Sequence, residues 1–530
     1  MSADLRDLVE AWIADEVDPD AAEQLRKLLD AGDESELGDR FSGPLTFGTA
    51  GLRGPMRAGP NGMNRTVVRR AAAGVADWLA DHGHGGEVVV VGFDARHGSA
   101  DFARDSAAIF AAAGLQARLM PRVLPTPVLA FAVQRYEAAA GVMVTASHNP
   151  PQDNGYKVYA GDGAQIVPPM DREIEAAIQA VRSARAIHLH EDAIAVVDES
   201  IVDEYVQAVT GLVPDGPRKL RIVHTAMHGV GSEVVRRVLS AAGFADVQPV
   251  SAQQRPDPDF PTVSFPNPEE PGALDLGLEL ARATEADLVI ANDPDADRCA
   301  LAVPDRAAGW RTLRGDEVGV LLADAMLGEG ITGTYATTIV SSSMLGTIAK
   351  AHGVGFAETL TGFKWISRAA PDLVFGYEEA LGYAVAPQLV RDKDGISAAL
   401  RCAHLAAGLR AEGRTLLDRL DELAAEYGRY VTDQVSIRVG ELSRIDHLIR
   451  ELRAAPPQTL LGTRVEVDDL LPDADVLRWR FDGGRVVVRP SGTEPKLKAY
   501  LEIVELGGSA EVAGQRLRAL RDELEQLLAG

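Results

Sequence analysis

Cysteine is nearly absent: Cys299 and Cys402 are the only two in 530 residues. That excludes a disulfide framework and fits a reducing compartment. No apolar run approaches the ~20 residues that cross a bilayer as a helix. The first residues, Met1-Ser-Ala-Asp-Leu-Arg-Asp, lack the basic and apolar regions of a signal peptide, so a soluble, cytoplasmic protein is expected. Basic residues are in short supply, 53 Lys and Arg against 78 Asp and Glu, for a net charge of −25. Such a balance argues against a nucleic-acid or acidic-membrane partner. Any anionic substrate must then be held by a local cluster of Arg and Lys. What remains is ordinary for a globular protein, 46% hydrophobic and 25% charged.

The length suggests roughly three to four domains. Residues 1–40 read as an acidic helical extension, with Leu8, Trp12, Ile13, Leu25, Leu28 and Leu29 at helical spacing. Strands then alternate with helices, the signature of parallel, doubly wound α/β units. Residues 41–205, 206–312 and 313–428 are expected as three such domains, each ending an apolar strand in a polar loop. Residues 429–530 differ: short alternating strands and a closing helix predict a smaller α+β domain.

Four loops carry candidate chemistry. After the apolar run Ala138–Val144 comes Thr145-Ala-Ser-His-Asn-Pro-Pro, which cannot continue as central strand because its two prolines lack amide donors. Ser147 is thereby displayed at the carboxyl end of a strand, where open α/β sheets bind ligands. It could be a nucleophile, a phosphate carrier or a turn residue, with His148 beside it as a hydrogen-bond donor. Asp293, Asp295 and Asp297 lie two residues apart after the apolar strand Leu288–Ala291. Three carboxylates at that spacing can converge on one hard divalent cation, Mg²⁺ first among them, or form a solvated acidic turn. Arg489-Pro-Ser-Gly-Thr-Glu-Pro-Lys496 combines Arg489, Ser491, Gly492, Thr493 and Lys496, the donors of an anion pocket or of a basic turn. Glu378 and Glu379 could accept hydrogen bonds from sugar hydroxyls or be solvated. Arg53, Lys157, His228, Arg298, Lys364 and Lys393 stand in or beside these loops.

Together, Thr145–Pro150, Asp293–Arg298, Gly376–Gly382 and Arg489–Pro495 resemble, in this order, the signature loops of the α-D-phosphohexomutases. Phe47–Gly54 and Asp153–Lys157 fit as well, so the resemblance runs from about residue 41 to the end. The wording Gly-Tyr-Glu-Glu-Ala and the N-terminal helix look most like the branch with phosphopentomutases and bacterial phosphogluco/phosphomannomutases. The family implies four domains around a central cleft, a phosphoserine at Ser147, and Mg²⁺ on the three aspartates and the serine phosphate. It further implies reversible transfer of phosphate between sugar O1 and O6 through a sugar 1,6-bisphosphate. Arg489, Ser491, Gly492, Thr493, Lys496, Lys364, Lys393, Glu378 and Glu379 would then bind substrate. Lys157 or His228 would handle protons, with Arg53 and His148 at the reacting phosphate and Arg298 in support. A pentose phosphate is the alternative substrate. A serine hydrolase using Ser147 and His148 is a rival, but it lacks the Gly-x-Ser-x-Gly elbow, and adjacent residues are expected to diverge.

Overall fold

The computed structural model describes residues 3–47, 51–438, 442–490 and 496–529. It divides into two compact units, Met1–Leu313 with Gly382–Gly408, and Arg314–Leu381 with Leu409–Gly530.

Two sheets lie within Met1–Leu313 among the described residues. One has six strands in the order Gly51–Pro55, Asp153–Ala160, Ala140–Val144, Val88–Phe93, Gln116–Leu119 and Ala195–Val196. Its interior pairings are parallel, and the two pairings made by Asp153–Ala160 are antiparallel. The Asp153–Lys157 motif thus lies on a strand. Six of its eight residues are buried, so it shows no polar alternation to betray it. The second sheet runs Gly309–Thr312, Ala300–Asp305, Leu288–Ala291, Arg221–Thr225 and Asp246–Pro249. Here too the core pairs are parallel and an antiparallel hairpin closes one edge.

The N-terminal extension is not one helix but three, Ala3–Asp15, Pro19–Ala31 and Glu34–Arg40. The breaks have local causes. Asp18 caps the second helix with Pro19 at its first turn, and Gly32 ends it at φ 66°, where glycine alone is unstrained. Val9, Ile13, Leu25 and Leu37 gather into a small core of their own.

In the second unit, Thr334–Thr338 pairs in parallel with Gly355–Thr359 and with Leu373–Glu378. The last domain is an antiparallel five-stranded sheet, Arg429–Arg438, Lys496–Glu505, Gly484–Pro490, Leu477–Phe481 and Glu466–Asp469. Helices Leu442–Ala454 and Ala510–Ala529 accompany it. The chain is thus three α/β domains followed by a smaller α+β domain.

Candidate active site

In the first unit the site grows from two strand ends. Ala140–Val144 is buried throughout, and the chain leaves it through Ser147 at φ 51°. That left-handed conformation is uncommon for a non-glycine residue and marks a held turn. Thr145 Oγ1 accepts the Ser147 amide (2.8 Å), and the Ser147 hydroxyl, on a residue only 3% exposed, donates to Asp293 Oδ2 (2.7 Å). The same turn brings Ser147 Oγ to 3.3 Å from His148 Nδ1. These neighbours were expected to diverge; the left-handed backbone folds them together instead. Burial, with help from Arg298 and Arg53, pushes the His148 imidazole well below its ordinary pKa, which favours the neutral ring.

Asp293, Asp295 and Asp297 are fully buried and bring ligand oxygens within 4.8 Å of one another. Pro294 and the positive φ of Ala296 (56°) turn the loop so that all three carboxylates face inward. Lys157 Nζ bridges Asp295 Oδ2 (2.8 Å) and Asp297 Oδ2 (3.0 Å), and Lys393 Nζ lies 3.4 Å from Asp297 Oδ2. Thr126 Oγ1 donates to Asp295 Oδ2 (2.6 Å). Burial raises the Asp293 carboxyl well above the usual range, and its two charged neighbours add to the effect. At Asp297 burial is overcome by Lys157, Lys393 and Arg298, which hold it well below that range. Burial also opposes the charge of Lys157, but Asp295 and Asp297 outweigh it and raise its pKa. Asp295 Oδ1 and Asp297 Oδ1 are buried without a hydrogen-bond partner. Orphaned carboxylate oxygens converging in this way fit a single divalent cation.

A ring of basic groups surrounds these loops. Arg53 donates to Asn149 Oδ1 (3.1 Å), within the serine loop. Arg96 holds that loop by its backbone, donating to the carbonyls of Ser147 (2.6 Å), Asn149 (2.5 Å), Pro150 (2.8 Å) and Asp153 (3.1 Å). The segment between Pro256 and Pro271, free of helix and strand over most of its length, then braces the ring from outside. Asp259 pairs with His97 (2.8 Å), and Phe260 lies 5.0 Å below the Arg96 guanidinium. Phe265 packs 6.2 Å from the His148 ring, and Glu269 pairs with Arg298 (3.3 Å). Thr262 Oγ1 lies 2.8 Å from His228 Nε2, so His228 is gathered into this brace rather than onto Ser147.

The second unit holds the other expected residues. Glu378 ends the strand Leu373–Glu378, and Glu379 follows it. Glu379 Oε2 accepts from Ser341 Oγ (3.0 Å) and Thr338 Oγ1 (3.3 Å), while its amide donates to Ser341 Oγ (3.1 Å). Burial, followed by the Glu378 charge, raises the Glu379 carboxyl to about 7. Lys364 is buried in the short helix Phe363–Ile366, its Nζ 5.4 Å from the Trp365 ring. Arg489 lies opposite Lys498, one residue before the end of the strand Gly484–Pro490, and Lys496 opens the next strand. Ser491, Gly492 and Thr493 lie outside the described residues.

Residues 44–185, 203–308 and 314–427 match the phosphoglucomutase/phosphomannomutase α/β/α domains I, II and III, and 437–515 match the C-terminal domain of the same family. The chain belongs to the phosphoglucomutase/phosphomannomutase family. As a member it is an isomerase, an intramolecular phosphotransferase acting on phosphosugars. It is 47% identical to the "Probable phosphomannomutase" of Haemophilus influenzae over 83% of this chain and 93% of that protein. It is 34% identical to the phosphopentomutase of Mus musculus over 100% of this chain and 94% of that protein. Among solved structures, a phosphoglucomutase/phosphomannomutase family protein from Burkholderia thailandensis shares the fold. Its TM-score is 0.70 at 21% identity, with 91% of this chain and 97% of that chain covered.

Within this mutase, Ser147, His148, Lys157, Arg53, Arg298, Lys393 and the three aspartates fall in one neighbourhood of the first unit. Sequence reasoning missed Arg96, Phe260 and Phe265. Arg96 had a faint signal, two residues beyond Asp94 at a strand end. The two phenylalanines had none beyond lying in a Pro-rich stretch.

Proposed function

We propose that the protein interconverts hexose 1-phosphate and hexose 6-phosphate, with glucose, mannose or both as the sugar, through a phosphoserine at Ser147 and a sugar 1,6-bisphosphate. The observation that carries this reading is the Ser147 hydroxyl, buried and bonded to Asp293 among three convergent carboxylates. A hydroxyl held against a carboxylate cluster is placed to give and receive a phosphoryl group once a cation offsets the negative charge. Asp293, Asp295 and Asp297 would hold Mg²⁺, which when bound would withdraw charge from the phosphate on Ser147. Arg53 and Arg298 supply positive charge beside that phosphate. Neutral His148 can share a hydrogen bond with Ser147 Oγ. Lys157, held at Asp295 and Asp297, is the proton-handling candidate that lies at the reacting loops. His228, engaged with Thr262, suits support of the loop better than proton transfer.

Glu378 and Glu379 would accept from sugar hydroxyls, and Lys364 would assist them. Arg489 and Lys496, with Ser491, Gly492 and Thr493 between them, would grip the phosphate that is not reacting. Hydrolase chemistry is disfavoured even though Ser147 and His148 approach. Among the described residues no carboxylate is hydrogen-bonded to His148, so a triad lacks its third member.

A pentose phosphate is the second reading, favoured by the likeness to the mouse phosphopentomutase along the whole chain. Steady-state kinetics on glucose, mannose and ribose 1-phosphates decide between them. The hexose reading expects kcat/KM for glucose or mannose 1-phosphate at least ~10-fold above ribose, a difference of about 1.4 kcal/mol in transition-state binding. The reverse order would establish the pentose reading.

A further inference from the structure

Glu379 is aimed from a distance. Its carboxylate and its amide both meet the Ser341 hydroxyl, and Ser341 opens a turn, Ser341–Ser343, that precedes the helix Met344–His352. This turn is held by the C-terminal domain. Glu502, 3% exposed, accepts from Ser342 Oγ (2.7 Å), Ser343 N (2.8 Å) and Ser343 Oγ (2.7 Å). Arg485 donates to the Ser341 carbonyl and pairs with Glu502 (2.8 Å) and Glu358 (3.2 Å). Arg485 and Glu502 are cross-strand partners, and Arg485 stands four residues before Arg489 on the strand that leads into the phosphate-binding loop.

A joint that only fastened two domains would need neither charge nor polarity. An apolar contact already does that here, with Ile339 and Val340 packed on Val476, Val487 and Tyr500. A buried Arg–Glu pair is an expensive fastener unless its geometry serves something. The bonds it makes converge on one turn, and the first residue of that turn presents a single hydroxyl to Glu379.

We propose that Arg485 and Glu502 are positioning residues for sugar recognition: from the C-terminal domain they fix the Ser341–Ser343 turn, and through the Ser341 hydroxyl they aim the Glu379 carboxylate at the sugar. This rests on Glu379 being a sugar-hydroxyl acceptor in a phosphoserine mutase. Distal-phosphate grip and sugar recognition are then set by one strand, Gly484–Pro490, so a substrate seated at Arg489 meets a correctly aimed Glu379.

A double-mutant cycle tests it on the full-length enzyme with glucose 1-phosphate. Arg485→Met should raise KM by roughly tenfold with kcat changed by less than about threefold. In a Glu379→Gln background the same change should have less than about a twofold effect, because coupled residues are not additive. Ser341→Ala should give the same pattern and, in addition, move the pH midpoint of KM upward, since the lost hydroxyl favoured the charged carboxylate. If Arg485→Met shows no cooperative melt, Glu502→Gln, which keeps shape and one acceptor, replaces it in the cycle. An equal loss in both backgrounds, or an unmoved pH midpoint in Ser341→Ala, overturns the positioning role. Intact mass after incubation with glucose 1,6-bisphosphate separates the two levels. An unlabelled wild-type Ser147 overturns the mutase reading itself, whereas labelled protein with an additive cycle overturns only this inference.

Discussion

The Ser147 hydroxyl donates to Asp293 Oδ2 across 2.7 Å, joining the loop at the end of one sheet to the loop at the end of the next. The carboxylate it meets lies beside two others, and all three are fully buried. Lys157 and Lys393 offset part of that charge, yet Asp295 Oδ1 and Asp297 Oδ1 stay without partners. A divalent cation held by these oxygens would supply what is missing. At ~100 times its Kd, Mg²⁺ should stabilise the fold by about 2.7 kcal/mol. Thermal melts with Mg²⁺ and with EDTA check this. Tm and turnover should both fall in EDTA, and Asp295→Asn should lose most of the difference. Equal melts and equal rates in the two buffers would remove the metal from the account.

Arg96 holds four carbonyls of the serine loop, and lysine cannot reproduce that fork. Arg96→Lys should therefore slow phosphorylation of Ser147 by about tenfold or more, equivalent to roughly 1.4 kcal/mol on the barrier. Substrate KM should change little, because the loop is displaced rather than the sugar site. Phe260→Leu removes only the ring beneath the guanidinium, and should have the same sign with a smaller size. Single-turnover quench-flow with labelled bisphosphate measures the step. A wild-type rate in Arg96→Lys contradicts the clamp.

Glu379 titrates at about 7, chiefly through burial. Its charged form accepts hydrogen bonds from hydroxyls, and its protonated form loses acceptor capacity. KM for the hexose phosphate should accordingly rise as pH falls through about 7. Glu379→Gln should have a high KM that no longer follows pH across that window. Initial-rate kinetics from pH 6 to 8.5 give the profile. A wild-type KM that is flat across the range would mean that Glu379 does not titrate in the sugar site.

Asp316 offers a stability test apart from activity. Burial raises its carboxyl to about 6, although Ser342 N (2.7 Å), Thr432 Oγ1 (2.9 Å) and Tyr377 OH (3.2 Å) all donate to it. The folded state thus binds this proton more tightly than the unfolded state. Its contribution is complete below about 4 and is lost as pH rises through 6, about 3 kcal/mol in all. Asp316→Asn should flatten the dependence of unfolding free energy on pH between 4 and 6. Urea titrations at several pH values would reveal it, and an unchanged slope would place the proton elsewhere.

How much of this was legible in the sequence depends on the range of the interaction. The spacing of Asp293, Asp295 and Asp297 is a local pattern, and the structure keeps its meaning in three convergent carboxylates. Breaks in the N-terminal extension were equally local, at Pro19 and at Gly32-Asp33, yet the helical spacing of leucines masked them. The grip of Arg96 was not legible, because its partners are backbone carbonyls more than fifty residues away that have no sequence identity. Nor was the approach of Ser147 to His148. It depends on one backbone angle, φ 51°, that serine rarely adopts and that the held loop imposes. Lys157 was expected to handle protons, but its route to the aspartates was not legible; a strand buried on both faces carries it there. Arg485 and Glu502 were hidden for the same reason, since cross-strand pairing brings together residues 17 apart.

The most direct test of the central claim is the mass of the intact protein after incubation with glucose 1,6-bisphosphate and removal of free ligand. Wild-type protein should carry one phosphoryl group, mapped by peptide fragmentation to Ser147. Ser147→Ala should carry none and lose activity by several orders of magnitude, about 1.4 kcal/mol of barrier for each factor of ten. A phosphoryl group found on another residue, or a Ser147→Ala enzyme within about tenfold of wild type, would contradict the phosphoserine mechanism.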